Sequence, residues 1–169
     1  TAAPDFALPD VAHNRTVTLD GLRQGRAMLV MFLSRHCPYV QHVAAELARI
    51  DAEYGDRVAM VGIASNDIVH YPEDSPASMV AMAREFGYRF PILFDESQAV
   101  AKAYAAACTP DFFVFDADGR LSYRGQLDDS RPKNDRPVTG RNLRAALDAV
   151  LDHQPPPAEQ FPSLGCNIK

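Results

Sequence analysis

Seven consecutive apolar residues, Ala27 to Leu33, end abruptly at Ser34-Arg35-His36-Cys37-Pro38, and a helical pattern begins just beyond. The run is short, strand-compatible and has no polar face. A strand that is apolar on both sides belongs inside a sheet covered above and below. From Val40 the apolar positions Val40, Val43, Leu47, Ile50 and Tyr54 recur at helical spacing. Pro38 suits the first helical position, where its missing N–H would have had no partner. Cys37 then falls at the helix N-cap, with free N–H groups and the positive end of the helix dipole aimed at its sulfur. Such surroundings favour the thiolate, which is the nucleophile.

The remaining chain extends the alternation. Thr1 to Gly25 is turn-rich, with Thr16 to Leu19 as a short strand. Val58 to Ala64 is a second strand apolar on both faces. Ser75-Pro76 reads as cap and first residue of a helix that Gly87 ends. Phe90 to Phe94 is a short strand, and Ser97 to Tyr104 a small alanine-rich helix. Phe112 to Asp116 and Leu121 to Arg124 form a hairpin around Ala117-Asp118-Gly119. Leu127 to Val138 is irregular, and Arg141 to His153 is a closing helix. The order predicts an α/β fold with a mixed central sheet flanked by helices on both faces. One core is expected over residues 1–153, followed by an extended, proline-rich tail over residues 154–169.

Composition narrows the function classes. A net charge of −5 with scattered Lys and Arg leaves no footprint for nucleic acid. The longest apolar stretch is too short to span a bilayer. No leader is visible, so the expected compartment is the cytoplasm; a leader removed ahead of Thr1 would make it the periplasm. Three widely spaced cysteines, Cys37, Cys108 and Cys166, are not a disulfide framework for a small secreted domain. One pair plus a spare, or three free thiols, are both open.

The element order, the cysteine after the first core strand and Thr109-Pro110 before the Phe-Phe-Val-Phe strand resemble the thioredoxin fold. Within that superfamily the chain is most similar to the alkyl hydroperoxide reductase/thiol-specific antioxidant branch, and more narrowly to bacterial peroxiredoxin-like thioredoxin family proteins. The segments that carry this are His36 to Val40, Tyr71 to Ser75, Cys108 to Phe113, Tyr123 to Gln126 with Asp128 to Arg131, and Gly165 to Lys169. The resemblance implies a cis bond before Pro110 and a Pro110 loop lying against the reactive cysteine. Two departures stand out. Val40 occupies the place of the second cysteine of a thioredoxin CxxC, so no local disulfide can form. The peroxiredoxin pattern Pro-x-x-x-Thr/Ser-x-x-Cys keeps Ser34 and Cys37 but has Val30 in place of its proline.

The expected activity is that of a thiol-based oxidoreductase with Cys37 as nucleophile, attacking a peroxide oxygen or a protein disulfide sulfur. The product is resolved by Cys108 or by Cys166. An external thiol reductant, thioredoxin-like or glutathione-like, completes the cycle without an organic cofactor or metal. Cys108 qualifies if the Pro110 loop faces Cys37 and the Cα atoms lie within roughly 7 Å. Cys166 qualifies through a mobile tail, from the same chain or from the partner in a homodimer. Ser34 is a candidate hydrogen-bond donor to sulfur or peroxide, and His36 a candidate thiolate stabiliser or proton shuttle. Arg124, or else Arg131, is a candidate for polarising a peroxide O–O bond. Asn66, Asp67, Asp128 and Asp129 match polar loops of the resemblance and equally suit Asx turns. Two other function classes stay open. One is a redox sensor or binding scaffold that does not turn over. The other is a soft-metal carrier using Cys37 with another cysteine, or with His36 and His42.

Overall fold

The computed structural model describes residues 1–169. Its elements are β1 (Ala7–Pro9), β2 (Thr16–Thr18), α1 (Leu19–Arg23), β3 (Met28–Phe32), α2 (Pro38–Tyr54), β4 (Ala59–Ala64) and α3 (Pro76–Phe86). They continue with β5 (Ile92–Phe94), α4 (Ala99–Ala103), β6 (Cys108–Thr109), β7 (Asp111–Phe115), β8 (Leu121–Gly125), α5 (Arg141–Leu151) and β9 (Cys166–Asn167). A 3₁₀ turn at Pro72–Asp74 precedes α3.

The central sheet has five strands in the order β5-β4-β3-β7-β8. β3 runs parallel to β4, and β4 to β5, while β7 lies antiparallel to β3 and to β8. The mixed sheet follows from the sequence pattern: helical crossovers early in the chain enforce parallel pairing, and the late hairpin enforces the reverse. Every residue of β3 and β4 is buried. Alternation along β3 splits the core in two. Leu29 and Met31 pack with α2, α3 and α5 through Leu47, Ile50, Met79 and Leu147. Met28, Val30 and Phe32 pack on the other face with Val61, Phe113, Val100 and Tyr104. The fold is thioredoxin-like, with helices on both faces of the sheet.

Three local readings change. The N-terminal strand stops at Thr18, because its side chain caps a short helix by accepting from Gly21 N–H at 3.1 Å. The helix expected from Ser97 starts at Ala99. The tail is docked: Cys166 and Asn167 form β9, antiparallel to β6. No helix is long and apolar enough to cross a membrane.

Candidate active site

Register brings the site together from distant segments. Phe32, at the end of β3, lies opposite Asp111, at the start of β7. The chain leaving β3 toward Cys37 therefore runs beside the chain arriving at β7 through Thr109-Pro110, whose peptide bond is cis. Cys37 is the N-cap of α2, with Pro38 in the first turn, and makes no side-chain cap bond. Its thiol donates instead to the Thr109 carbonyl oxygen, Sγ to O 3.2 Å. β9 then lays Cys166 directly opposite Thr109. The result is a fully buried Cys37 beneath a half-buried Cys166.

The surroundings favour the Cys37 thiolate. Burial alone would raise its pKa, but hydrogen bonds to the sulfur from the Cys166 thiol, the Thr109 hydroxyl and the N–H groups of Val40 and Cys166 outweigh it. The net shift is downward from the ordinary thiol value. Thr109 makes sense in these terms. Its hydroxyl is buried and has no partner while Cys37 is a thiol. That unused donor is available to a Cys37 sulfur that has lost its proton, which helps draw its pKa down. Cys166 responds oppositely: burial and the Cys37 charge push it up to about 11, against the pull of the Lys169 ammonium and the Tyr39 N–H. Cys108 is pushed up to about 12 by burial, by Asp111 and by the other two sulfurs. Titrating thiolate absorbance should therefore resolve one early step below the usual cysteine range and two late ones. Cys37→Ser removes the early step, and the near-isosteric Thr109→Val moves it upward. Three thiols titrating together near the ordinary value would contradict this arrangement.

Two of the expected residues face elsewhere. Ser34 and His36 gather around Asp74, a carboxylate only 1% exposed. Asp74 Oδ2 accepts from Ser34 Oγ at 2.6 Å and Asn66 Nδ2 at 2.6 Å, and lies 2.9 Å from His36 Nδ1. Its Oδ1 accepts from the backbone N–H of Arg35 at 2.8 Å and of His36 at 3.1 Å. Burial would raise the Asp74 carboxyl, but these donors hold it below the usual range. His36 also stacks on Tyr71, ring centroids 5.5 Å apart. Asp74 thus clamps the Ser34–Cys37 loop by its backbone as well as its side chains.

Arg124 is the register partner of Phe113, and its guanidinium sits 5.0 Å above that ring. Phe113 belongs to the core face opposite the one that holds Cys37, so Arg124 is set apart from the sulfur. It donates to the Ala105 carbonyl. Arg131 lines a small cleft with Tyr39, Pro110 and Leu164, yet its guanidinium is taken up by Gln126 Oε1 and the carbonyls of Asp128 and Ser130. Cys108 neighbours the site but alternates with Thr109 along β6, so it projects from the other side of the β6–β9 ribbon. Its sulfur is directed at the Pro110 carbonyl, 3.7 Å away. Asp128 serves as a turn residue, accepting from the N–H groups of Ser130, Thr139 and Gly140. His42 bonds Ser130 Oγ at 2.7 Å. No three His, Cys, Asp or Glu side chains are grouped so as to hold a metal ion.

The geometry is that of a cysteine at a helix start facing a cis-proline loop, and the Redoxin family model matches residues 1–143. The chain belongs to the Redoxin family. Cys37 and Cys108 of this redoxin fall within the matched residues, and Cys166 lies beyond them. It is 30% identical over 124 residues to the thiol:disulfide interchange protein DsbE of Allochromatium vinosum, covering 72% of the chain and 63% of that relative's length. A crystal structure of an uncharacterised conserved protein from Geobacillus kaustophilus has a TM-score of 0.97 at 53% identity, covering 100% of this chain and 90% of that one. A hypothetical protein from Sinorhizobium meliloti has a TM-score of 0.96 at 48% identity, covering 100% and 92%. A secreted disulfide oxidoreductase from Mycobacterium tuberculosis shares the fold, with a TM-score of 0.65 at 19% identity over 85% of this redoxin and 95% of that chain.

Sequence reasoning missed Thr109 and Asp74 as site residues. Both lie in segments that carried the resemblance. Nothing local marks them, because a threonine before proline and an acid before a helix have ordinary turn and cap roles.

Proposed function

We propose that this redoxin is a thiol:disulfide oxidoreductase whose redox pair is Cys37 and Cys166. The observation that carries the reading is the register that seats Cys166 opposite Thr109, the residue whose carbonyl accepts from the Cys37 thiol at 3.2 Å. The Cys37 thiolate attacks one sulfur of a substrate disulfide. The S–S bond breaks, one substrate thiolate leaves, and a mixed disulfide remains on Cys37. At that point the charge that raised the Cys166 pKa is gone, while Lys169 still favours its thiolate. Cys166 attacks the Cys37 sulfur and expels the second substrate thiolate. The substrate has gained two electrons, and an external dithiol returns them to the Cys37–Cys166 disulfide.

Three features support a disulfide rather than a peroxide substrate. Ser34 is committed to Asp74. Arg124 lies across the sheet. Val30 is paired on both sides in mid-strand, where a proline would remove a ladder hydrogen bond. The A. vinosum relative is named for thiol:disulfide interchange. Mixing the reduced protein with a disulfide substrate tests the assignment. Wild type should release both substrate thiols, Cys166→Ser should release one and retain the other on Cys37, and Cys108→Ser should behave as wild type. Steady-state turnover with a dithiol should exceed one equivalent. A single stoichiometric oxidation would instead support the sensor reading.

A further inference from the structure

The segment 161–169 crosses directly above Cys37. Gln126 N–H donates to the Phe161 carbonyl at 2.9 Å, and Ser163 Oγ donates to the Gly125 carbonyl at 2.7 Å and lies 2.9 Å from Asp111 Oδ1. At its far end Lys169 N–H donates to Asn66 Oδ1 at 2.7 Å, and Asp67 N–H donates to the Lys169 carbonyl at 3.0 Å. Between these anchors the segment is held over the sulfur by the two-residue pairing of β9 with β6 and by partly buried packing of Cys166 and Ile168 against the core. Cys37 has 0% exposure, so no protein disulfide reaches it while this segment is in place. Its removal would free the β6 edge, with its backbone hydrogen-bonding groups, beside the thiolate. An extended peptide can refill such an edge by strand addition.

We propose that segment 161–169 is a displaceable internal stand-in for the substrate, and that the vacated β6 edge takes an extended, cysteine-bearing peptide with glycine just before the cysteine. The glycine requirement is read from Gly165. A Cβ built there would lie 2.0 Å from the Thr109 carbonyl oxygen and 2.7 Å from its carbon, both backbone atoms that cannot swing aside. A substrate pairing with Thr109 as Cys166 does brings its own preceding residue to that same contact. The inference rests on Cys37 being a disulfide nucleophile. It adds how the substrate is held and which sequence is favoured. Substrate leaves when the segment returns, because re-pairing of β9 delivers Cys166 to the mixed disulfide.

The test uses the full chain and peptides whose cysteine carries an aromatic thiol as a coloured leaving group. The Cys37 thiolate attacks the peptide sulfur, the aromatic thiolate departs, and its colour reports the first step alone. A peptide with Gly-Cys should react at least ~10-fold faster than one with Val-Cys, the scale of about 1.4 kcal/mol. Gly165→Val should loosen the internal strand and raise the rate with the Gly-Cys peptide. Equal rates for both peptides, or no gain from Gly165→Val, would overturn the proposal. A small symmetric aromatic disulfide separates the two levels. If it reacts while the peptides show no preference, only the strand-recognition inference falls. If neither it nor the peptides react, the disulfide reading falls and takes the inference with it.

Discussion

Cys37→Ser should bring disulfide reduction down by about three orders of magnitude or more, the scale on which removing a nucleophile acts. The loss should not come from unfolding. Cys37 is an N-cap without a side-chain cap bond, and serine is among the preferred caps. A new cap contributes about 0.5–2 kcal/mol, which offsets the cost of burying a hydroxyl. Thermal unfolding should therefore stay near wild type while turnover disappears. Activity retained in Cys37→Ser would mean that another group is the nucleophile. Wild-type activity should also rise with pH through the lowered Cys37 pKa and then level off, because only the thiolate attacks.

The largest stability effect is expected from Asp74→Ala. The change strands the hydroxyl of Ser34, the amide of Asn66 and two backbone N–H groups in a buried site. Each buried group left without a partner costs about 1–3 kcal/mol, and some will find water on relaxation, so we expect a loss of about 3–5 kcal/mol. In a domain of this size that lowers Tm by on the order of 10 °C or more. The pH dependence has a definite sign. The Asp74 carboxyl is held below its unfolded value, so its contribution is complete above the ordinary carboxylate range and fades as pH falls through the lowered value. Urea midpoints for wild type and Asp74→Ala should converge in acid. Midpoints that differ little at neutral pH would show that the Ser34–Cys37 loop is held by something else.

Much of the fold was legible because the central strands declare themselves. Ala27 to Leu33 and Val58 to Ala64 have no polar face, and only an inner strand buries both sides. The N-cap position of Cys37 was equally readable from Pro38 and the helical spacing beyond it. The pairing of sulfurs was not. It depends on β9, a two-residue strand with no periodicity, and on Gly165, whose reason for being small is a backbone 56 residues earlier in the chain. Ser34 and His36 looked like sulfur ligands by adjacency. Their actual partner is a carboxylate brought in by the 3₁₀ turn at Pro72–Asp74, and short turns of that kind leave little trace in apolar spacing. Arg124 looked usable for lack of any sign of which face of β8 it would take. The register with Phe113 decides that, and register is a property of the assembled sheet.

Disulfide mapping decides which two sulfurs pair. The reduced protein is treated with a limiting amount of a small disulfide oxidant, remaining thiols are alkylated, and peptides are mapped without reduction. The Cys37–Cys166 pairing predicts a bond between those two sulfurs, with Cys108 recovered as the alkylated thiol. A Cys37–Cys108 bond, or Cys37 recovered unoxidised, would contradict it.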